Sequence, residues 1–238
     1  SIKLHQSHSE TKIIHVQKSC QPPKISRPEL KPFRTDPYTC GVDLWQHSYK
    51  ILHQRILNGM EKQKYAVYRC RKSCGGLGDR MIGIASTFMF ALITDRAFLL
   101  EMNVPADIQE ALMINQIDWR IPSSDFYDGK SIAVHHFIDN GNYLKIFEKD
   151  SLKEYDSHDV EIFQMNQRSY HSLKKNPNYA EKIKKLGLDR MHDFHMMGCF
   201  LEYLFKPSQK VNQVINQFYE EYDLWNTYII GIHIRMGS

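Results

Sequence analysis

The sequence predicts an α/β fold in which helices cover a parallel sheet, and three observations support this. The β-favouring run "KYAVYRC" (residues 64–70) leads into a glycine-rich turn, a helical stretch from about Arg80 to Thr94, and a second β-favouring run, "AFLLEM" (97–102). Strand, helix and strand in this order form a βαβ unit. The helix is apolar on nearly every side, so it must be covered on several sides.

Composition and charge narrow the class of protein. Of 238 residues, 42% are hydrophobic and 12% aromatic, which is ample for a folded core. The formal net charge of +4 comes from 31 Lys and Arg against 27 Asp and Glu. This mixed surface lacks the dense cationic patch of a duplex nucleic-acid binder, and it remains compatible with an anionic small molecule. The longest apolar stretch, Met81 to Ile93, is too short to span a bilayer.

The chain divides into three predicted regions. Residues 1–36 carry four prolines and seven Lys or Arg against three acids, a composition typical of a flexible basic stem. Residues 37–225 form an amino-terminal α/β lobe with a helical connection, and its first helix, around Trp45 to Ile56, ends near Asn58-Gly59. Residues 226–238 form the first strand of a further lobe, whose remainder we expect to be absent from this chain.

Within the lobe, apolar periodicity predicts the later elements. "SIAVHHFI" (131–138) and "VEIFQMN" (160–166) are predicted strands. Met191 to Phe205 is a predicted helix whose apolar stripe includes Phe194 and Gly198, and Pro207-Ser208 begins another helix. In the closing run "YIIGIHIRMGS" (228–238), alternation places His233 and Arg235 on the same side of a strand.

Five cysteines leave the redox state open. Cys20 with Cys40 and Cys70 with Cys74 are candidate disulfides for an oxidising compartment, and the alternative is that all five are reduced. Their spacing does not fit a zinc site, so we predict no metal site.

Several conspicuous side chains are predicted to be structural. His192 and His195 in "HDFH" resemble a metal-binding pair but lie on an apolar helix without a second ligand cluster. His135 and His136 alternate across a strand, so at most one faces any given site. Trp119 is predicted to be a packing anchor rather than a stacking platform.

Two features lie at predicted carboxyl ends of strands, where α/β folds bind ligands. Gly75, Gly76 and Gly78 let the backbone approach a ligand closely, and the helix that follows directs its positive end at the turn. Arg235 offers a planar fork suited to phosphate, with His233 beside it. The alternatives are a simple tight turn for the glycines, a surface charge for the arginine and a core position for the histidine.

Three segments together resemble one family. "YAVYRCRKSCGGLGDRMIGIASTFMFALITDRAFLLE" (65–101) resembles the amino-terminal signature of the fucosyltransferase superfamily that includes the α1,6-, α1,2-, plant xyloglucan and rhizobial nodulation-factor enzymes. "MGCFLEYLFKPSQKV" (197–211) is similar to the helix-and-proline segment between the two halves of such enzymes. "IGIHIRMGS" (230–238) resembles their HxRRxD-type donor motif.

The resemblance implies a Rossmann-like lobe of a GT-B glycosyltransferase that transfers L-fucose, with inversion, from GDP-fucose to a glycan hydroxyl. No divalent metal or other cofactor is implied, and the partners are the nucleotide sugar and a glycan acceptor. By position in the motifs, Arg235 holds the donor phosphate, His233 is the motif histidine, and the loop that closes over the donor includes Gly76, Leu77 and Gly78. Asp79, near this loop, is a further predicted donor-binding residue. We expect the Golgi lumen as location and type II membrane topology, through an anchor not present in this chain.

The sequence also departs from the family motif. Met236 stands where most members have a second arginine, and the sequence ends at Ser238, before the motif's acid. We therefore expect a fragment that is inactive alone. The alternatives are a catalytically inactive relative that acts as a glycan-binding or scaffolding module and, less favoured, a nicotinamide-dependent oxidoreductase, which lacks its GxGxxG turn.

Overall fold

The computed structural model describes Cys40 and residues 45–72, 74–104 and 106–223. The chain divides into two units, Ser1–Pro37 and Tyr38–Ser238, and every described residue lies in the second. The predicted stem, residues 1–36, and the predicted strand within residues 226–238 lie outside the described residues, so both stay predictions. Within the described part of the chain, no helix combines the length and the apolar composition needed to cross a bilayer.

The predicted α/β class is confirmed. The strands are β1 (Tyr65–Cys70), β2 (Ala97–Met102), β3 (Leu112–Ile114), β4 (Ile132–Phe137), β5 (Val160–Met165) and β6 (Phe205–Pro207). Four of them form a parallel sheet in the order β2-β1-β5-β4, while β3 and β6 form a small antiparallel pair. All four carboxyl ends of the parallel strands therefore meet at one edge of the main sheet.

The helices surround this sheet. They are α1 (Gln46–Leu57), α2 (Leu77–Ile93), α3 (Tyr143–Lys149), α4 (Ser169–Lys174), α5 (Ala180–Lys185), α6 (Asp193–Leu204) and α7 (Gln209–Glu221), with short 3-10 helices at Ile108–Glu110, Leu152–Asp156 and Pro177–Tyr179. The predicted βαβ unit is β1, α2 and β2. Ser208 caps α7 by accepting a hydrogen bond from the Val211 N–H, which agrees with the predicted helix start.

Strands β1, β2 and β5 of the main sheet are covered on both faces, whereas the edge strand β4 leaves alternate residues exposed. On one face, Tyr68, Phe98 and Phe163 pack with α2, whose residues from Gly83 to Ile93 are all buried. On the other face, Val67, Leu99 and Ile162 pack with Ile56 of α1 and with Phe126. This two-sided burial explains why β1, β2 and β5 are almost continuously apolar.

One glycine sets how closely α2 approaches the sheet. A Cβ atom at Gly83 would lie 2.0 Å from the Met165 carbonyl oxygen and 2.6 Å from the Tyr68 ring. Gly83→Ala should therefore push α2 away from β5 and lower the free energy of unfolding by about 1–3 kcal/mol or more. Urea unfolding measures this change. Gly78→Ala, in the same helix but with nothing within 4 Å of its Cβ, is the matched control and should not destabilise. Equal unfolding energies for the two variants would contradict the packing described here.

A buried charge network stabilises the amino-terminal edge of the main sheet, opposite the edge where the carboxyl ends of the strands meet. The guanidinium of Arg96, which is fully buried, donates to Asp156 and to the backbone carbonyls of Tyr65, His158 and Asp159. Burial alone would raise the pKa of the Glu161 carboxyl. Hydrogen bonds from His135 and the His158 N–H outweigh that effect, and the pKa is lowered. The network fixes the starts of β1 and β5.

Two predicted details need correction. The buried residues of α6 are Met196, Cys199, Phe200, Tyr203 and Leu204, whereas Phe194 and Gly198, predicted in the buried stripe, face outward. The α6 sequence carries overlapping apolar stripes. The stripe that contains Phe200 faces inward, because Phe200 packs against Trp45 and Phe88. The cysteines also pair differently: Cys40 bonds Cys199, not Cys20, while the Cys70–Cys74 disulfide is present as one of the two predicted alternatives.

Candidate functional site

The glycine segment begins at the carboxyl end of β1 and is held at its base by a disulfide. Cys70, the last residue of β1, bonds Cys74, and both are buried. Gly75 follows with φ +82°, a left-handed conformation that favours glycine, and a Cβ there would lie 2.6 Å from the Asp79 carboxylate. The chain therefore turns sharply into α2 at one fixed point.

The first turn of α2 contains most of the predicted donor loop. Gly76 is the N-cap, and its N–H donates to the Asp79 carboxylate at 2.9 Å, so that Leu77, Gly78 and Asp79 are already helical. The prediction that the helix begins at about Arg80 was three residues late. A carboxylate three residues after the N-cap stabilises the earlier start.

A side chain added at Gly76 or Gly78 would meet little of the described fold. A Cβ at Gly78 would have nothing within 4 Å, and one at Gly76 would make only an ordinary contact with Asp79, 3.6 Å away. Neither glycine has a positive φ. Leu77 is 66% exposed. The local backbone thus requires glycine at Gly75 but not at Gly76 or Gly78, and these two leave room for a ligand.

The electrostatics of the turn are mixed. The first turn of a 17-residue helix offers backbone N–H groups and a positive dipole end, both of which favour an anion. The Asp79 carboxylate opposes an anion. The positive charge of Arg80 offsets the negative charge of Asp79. The Arg80 guanidinium donates to the Gly75 carbonyl at 3.1 Å and to the Val104 carbonyl. Arg80 thereby ties the glycine segment to the chain that follows β2.

Beside the turn lies a second charged cluster that the sequence did not predict. Glu101, near the end of β2, accepts from Arg69 at 2.7 Å, Arg71 at 2.5 Å and the Tyr127 hydroxyl at 3.0 Å. Burial alone would raise the pKa of Glu101, but hydrogen bonds from the two arginines outweigh it and lower the pKa. Burial and the Glu101 charge raise the pKa of Tyr127 to about 12. Glu101 is thus a firmly ionised acceptor.

The six predicted site residues divide into two groups. Gly76, Leu77, Gly78 and Asp79 come together in one turn, as described. Arg235 and His233 lie outside the described residues, so their convergence on this turn stays a prediction.

The side chains predicted to be structural have structural partners. His135 bonds Glu161 at 2.7 Å, His136 bonds Gln164 at 2.8 Å, and Trp119 is buried and donates to the Leu204 carbonyl. The ring of His192 accepts from the Phe194 N–H and caps α6. Cys40 and Cys199 lie close to His195 in a cluster of metal-ligand type. Their sulfur atoms are joined to each other in the disulfide and are not thiolates.

Comparison with known proteins agrees with the predicted resemblance. A family model described as xyloglucan fucosyltransferase matches residues 25–183. A galactoside 2-alpha-L-fucosyltransferase of Arabidopsis thaliana is 24% identical, with 82% of this chain and 39% of that protein covered. A galactoside 2-alpha-L-fucosyltransferase of Pisum sativum is 25% identical, with 73% and 35% covered.

A solved structure is similar as well. It is an Arabidopsis thaliana FUT1 mutant, with lysine in place of an arginine, in complex with GDP; the TM-score is 0.56 at 21% identity, covering 73% of this chain and 48% of that one. This likeness confirms the predicted Rossmann-like lobe of the GT-B type. The chain spans less than half the length of these three proteins. Because the family model covers more than half of the chain, the chain belongs to the xyloglucan fucosyltransferase family.

Proposed function

We propose that this chain contributes the amino-terminal lobe of a fucosyltransferase that transfers L-fucose from GDP-fucose to a glycan hydroxyl with inversion. The observation that carries the proposal is the open turn at Gly76 and Gly78, which the described fold leaves unfilled at the carboxyl edge of the sheet. Family membership and the GDP complex of the similar structure support a nucleotide-sugar ligand.

In the proposed reaction, the bond between fucose C1 and the diphosphate oxygen breaks, and GDP leaves with the electron pair. The acceptor hydroxyl oxygen forms the new bond to C1 from the opposite face and releases its proton to solvent water, so that the products are the fucoside, GDP and one proton. Backbone N–H groups in the first turn of α2 stabilise the charge that develops on the diphosphate. We assign the same role to Arg235, with His233 beside it, and the proposal uses no divalent metal.

The proposed location is the Golgi lumen, with type II membrane topology. Two disulfides support an oxidising compartment. The second candidate function is a catalytically inactive glycan-binding relative, and the observation that favours it is Met236 in place of the motif's second arginine.

Turnover distinguishes the two functions. We expect the longest natural version of the protein that includes these residues to transfer radiolabelled fucose from GDP-fucose to a galactose-terminated xyloglucan oligosaccharide. GDP should also raise its melting temperature, because a ligand that binds only the folded state stabilises it. Absence of both transfer and a GDP-dependent shift would reject the proposal. A shift or oligosaccharide binding without transfer would favour the inactive relative.

A further inference from the structure

A cavity of about 530 Å³ lies over α6, beside the Cys40–Cys199 disulfide. Its walls include both cysteines of this bridge together with His195 and Glu202. No residue of the glycine turn lines it, so it is separate from the proposed donor site. Its volume falls within the range of small-ligand sites, about 300–1,000 Å³. We call it the α6 cavity.

Three metal-ligand side chains of the α6 cavity lie on one face of a helix. His195, Cys199 and Glu202 occupy positions i, i+4 and i+7 of α6. At about 3.6 residues per turn, these positions fall within about 60° of one another around the helix axis. Imidazole, thiolate and carboxylate are the ligand types that Zn²⁺ takes from proteins. The helix therefore presents a zinc-type ligand set, and Cys40 adds a second sulfur from a distant part of the chain.

The ligand atoms are close enough to share one metal ion. One ligand atom each from Cys40, His195 and Cys199 lies within 4.8 Å of the other two. A Glu202 carboxylate oxygen lies 3.6 Å from the Cys40 sulfur. In a tetrahedral zinc site with bonds of about 2.0–2.3 Å, neighbouring ligand atoms are about 3.3–3.8 Å apart. Because the Cα atoms of the two cysteines are 5.3 Å apart, side-chain rotation can give this spacing once the sulfurs are no longer bonded to each other.

The second disulfide has no such surroundings. Among the residues that the structure describes, Cys40, His195 and Cys199 are the only group of three histidine, cysteine or acidic side chains with this proximity. Cys70 and Cys74 belong to no group of this kind. The two cysteine pairs therefore provide a matched comparison within one chain.

We propose that the α6 cavity binds Zn²⁺ when the Cys40–Cys199 disulfide is reduced, through the two thiolates, the His195 imidazole and the Glu202 carboxylate. A dithiol supplies the two electrons and two protons that convert the disulfide into two thiols, and it is itself oxidised to a cyclic disulfide. Zn²⁺ then displaces one proton from each thiol, and the two thiolates balance its charge. Residue 40 is thus joined to α6 in either redox state, by the covalent bridge or by the ion.

Co²⁺ is the spectroscopic probe for this site, because it accepts the same tetrahedral thiolate coordination. The 238-residue chain is reduced with dithiothreitol, freed of the dithiol under argon and titrated with Co²⁺. We expect thiolate-to-cobalt charge-transfer bands and visible bands typical of tetrahedral coordination. Added Zn²⁺ should abolish both by displacing Co²⁺, since tetrahedral sulfur and nitrogen ligands favour zinc. The oxidised chain should show neither set of bands.

The cysteine variants locate the ion on one pair of sulfurs. In the reduced state, the double variant Cys40→Ser, Cys199→Ser should lose the charge-transfer bands. The matched double variant Cys70→Ser, Cys74→Ser should retain them. Absence of the bands from the reduced parent, or their persistence after loss of Cys40 and Cys199, would overturn the inference.

The histidine variants test the site without changing a cysteine. His195→Ala should weaken Co²⁺ binding at least about tenfold, because removing even a group that only supports a metal ligand commonly costs this much. His136→Ala, an exposed histidine of β4 outside the cavity, is the matched control and should bind as the parent does. His195 is only partly buried, so this comparison decides the question if the cysteine variants prove unstable. Equal affinities of His195→Ala and the parent would overturn the inference. The measurements use no nucleotide sugar, so their outcome is independent of the proposed function.

Discussion

Arg96→Ala should lower the free energy of unfolding by about 3–5 kcal/mol, because it removes a fully buried guanidinium and leaves its acceptors, Asp156 and three backbone carbonyls, without that donor. The guanidinium is fully buried and donates to Asp156 at 2.7 Å and to the carbonyl of His158 at 2.8 Å. It also lies 3.8 Å from Glu161, whose side chain is itself fully buried. Urea unfolding followed by circular dichroism measures the loss.

The matched control for Arg96 is Arg55, which forms a single exposed ion pair with Glu61 at 2.8 Å. Arg55→Ala should change stability by less than about 1 kcal/mol, because solvent screens exposed pairs. If the two alanine variants were equally stable, the network would not be holding the amino-terminal edge of the sheet.

Removing the Cys40–Cys199 disulfide should have an effect of similar size. The bond joins residues 159 positions apart. In the chain-entropy description, closing so long a loop lowers the entropy of the unfolded chain and thereby stabilises the folded state by about 4–5 kcal/mol. The double variant Cys40→Ser, Cys199→Ser should therefore unfold at a much lower urea concentration than the parent under non-reducing conditions.

The second disulfide is the internal comparison. Cys70 and Cys74 are only four positions apart, so the same description gives about 2 kcal/mol for the double variant Cys70→Ser, Cys74→Ser. A larger loss from the short bridge than from the long one would contradict the loop-length argument. Equal losses would also contradict it.

Local patterns predicted most of the fold. The strands around Tyr65 and Ala97 and the helix between them follow from apolar runs broken by glycines, because burial on both sides of a parallel sheet leaves a continuous apolar signature. The start of α7 follows from Ser208, a favoured capping residue. The tight turn was predicted from its glycines, which act within a few residues of chain. Leu77 and Asp79 were assigned to the donor site from the family resemblance, and the hydrogen bond by which Asp79 caps α2 was not predicted.

Long-range contacts account for what was not predicted. The partner of Cys40 is 159 residues away, and the α6 face that packs inward is selected by aromatic residues on other elements. In the sequence, Glu101 is a single polar residue in an apolar strand. Its partners Arg69 and Tyr127 lie beside it only in the folded structure. The cavity at the carboxyl end of β2 likewise forms only once residues 118–122 return to the end of that strand.

The most direct test of the proposed donor site is GDP binding by Gly78→Ala in the longest natural version of the protein. With open space around its Cβ and no positive φ, this variant should keep the parent's melting temperature or exceed it, since alanine favours a helix over glycine by about 0.5–1 kcal/mol. We predict that it nevertheless loses the GDP-dependent rise in melting temperature and fucose transfer, because its methyl group occupies the ligand's space. A Gly78→Ala protein that binds GDP and transfers fucose as the parent does would contradict a donor site at this turn.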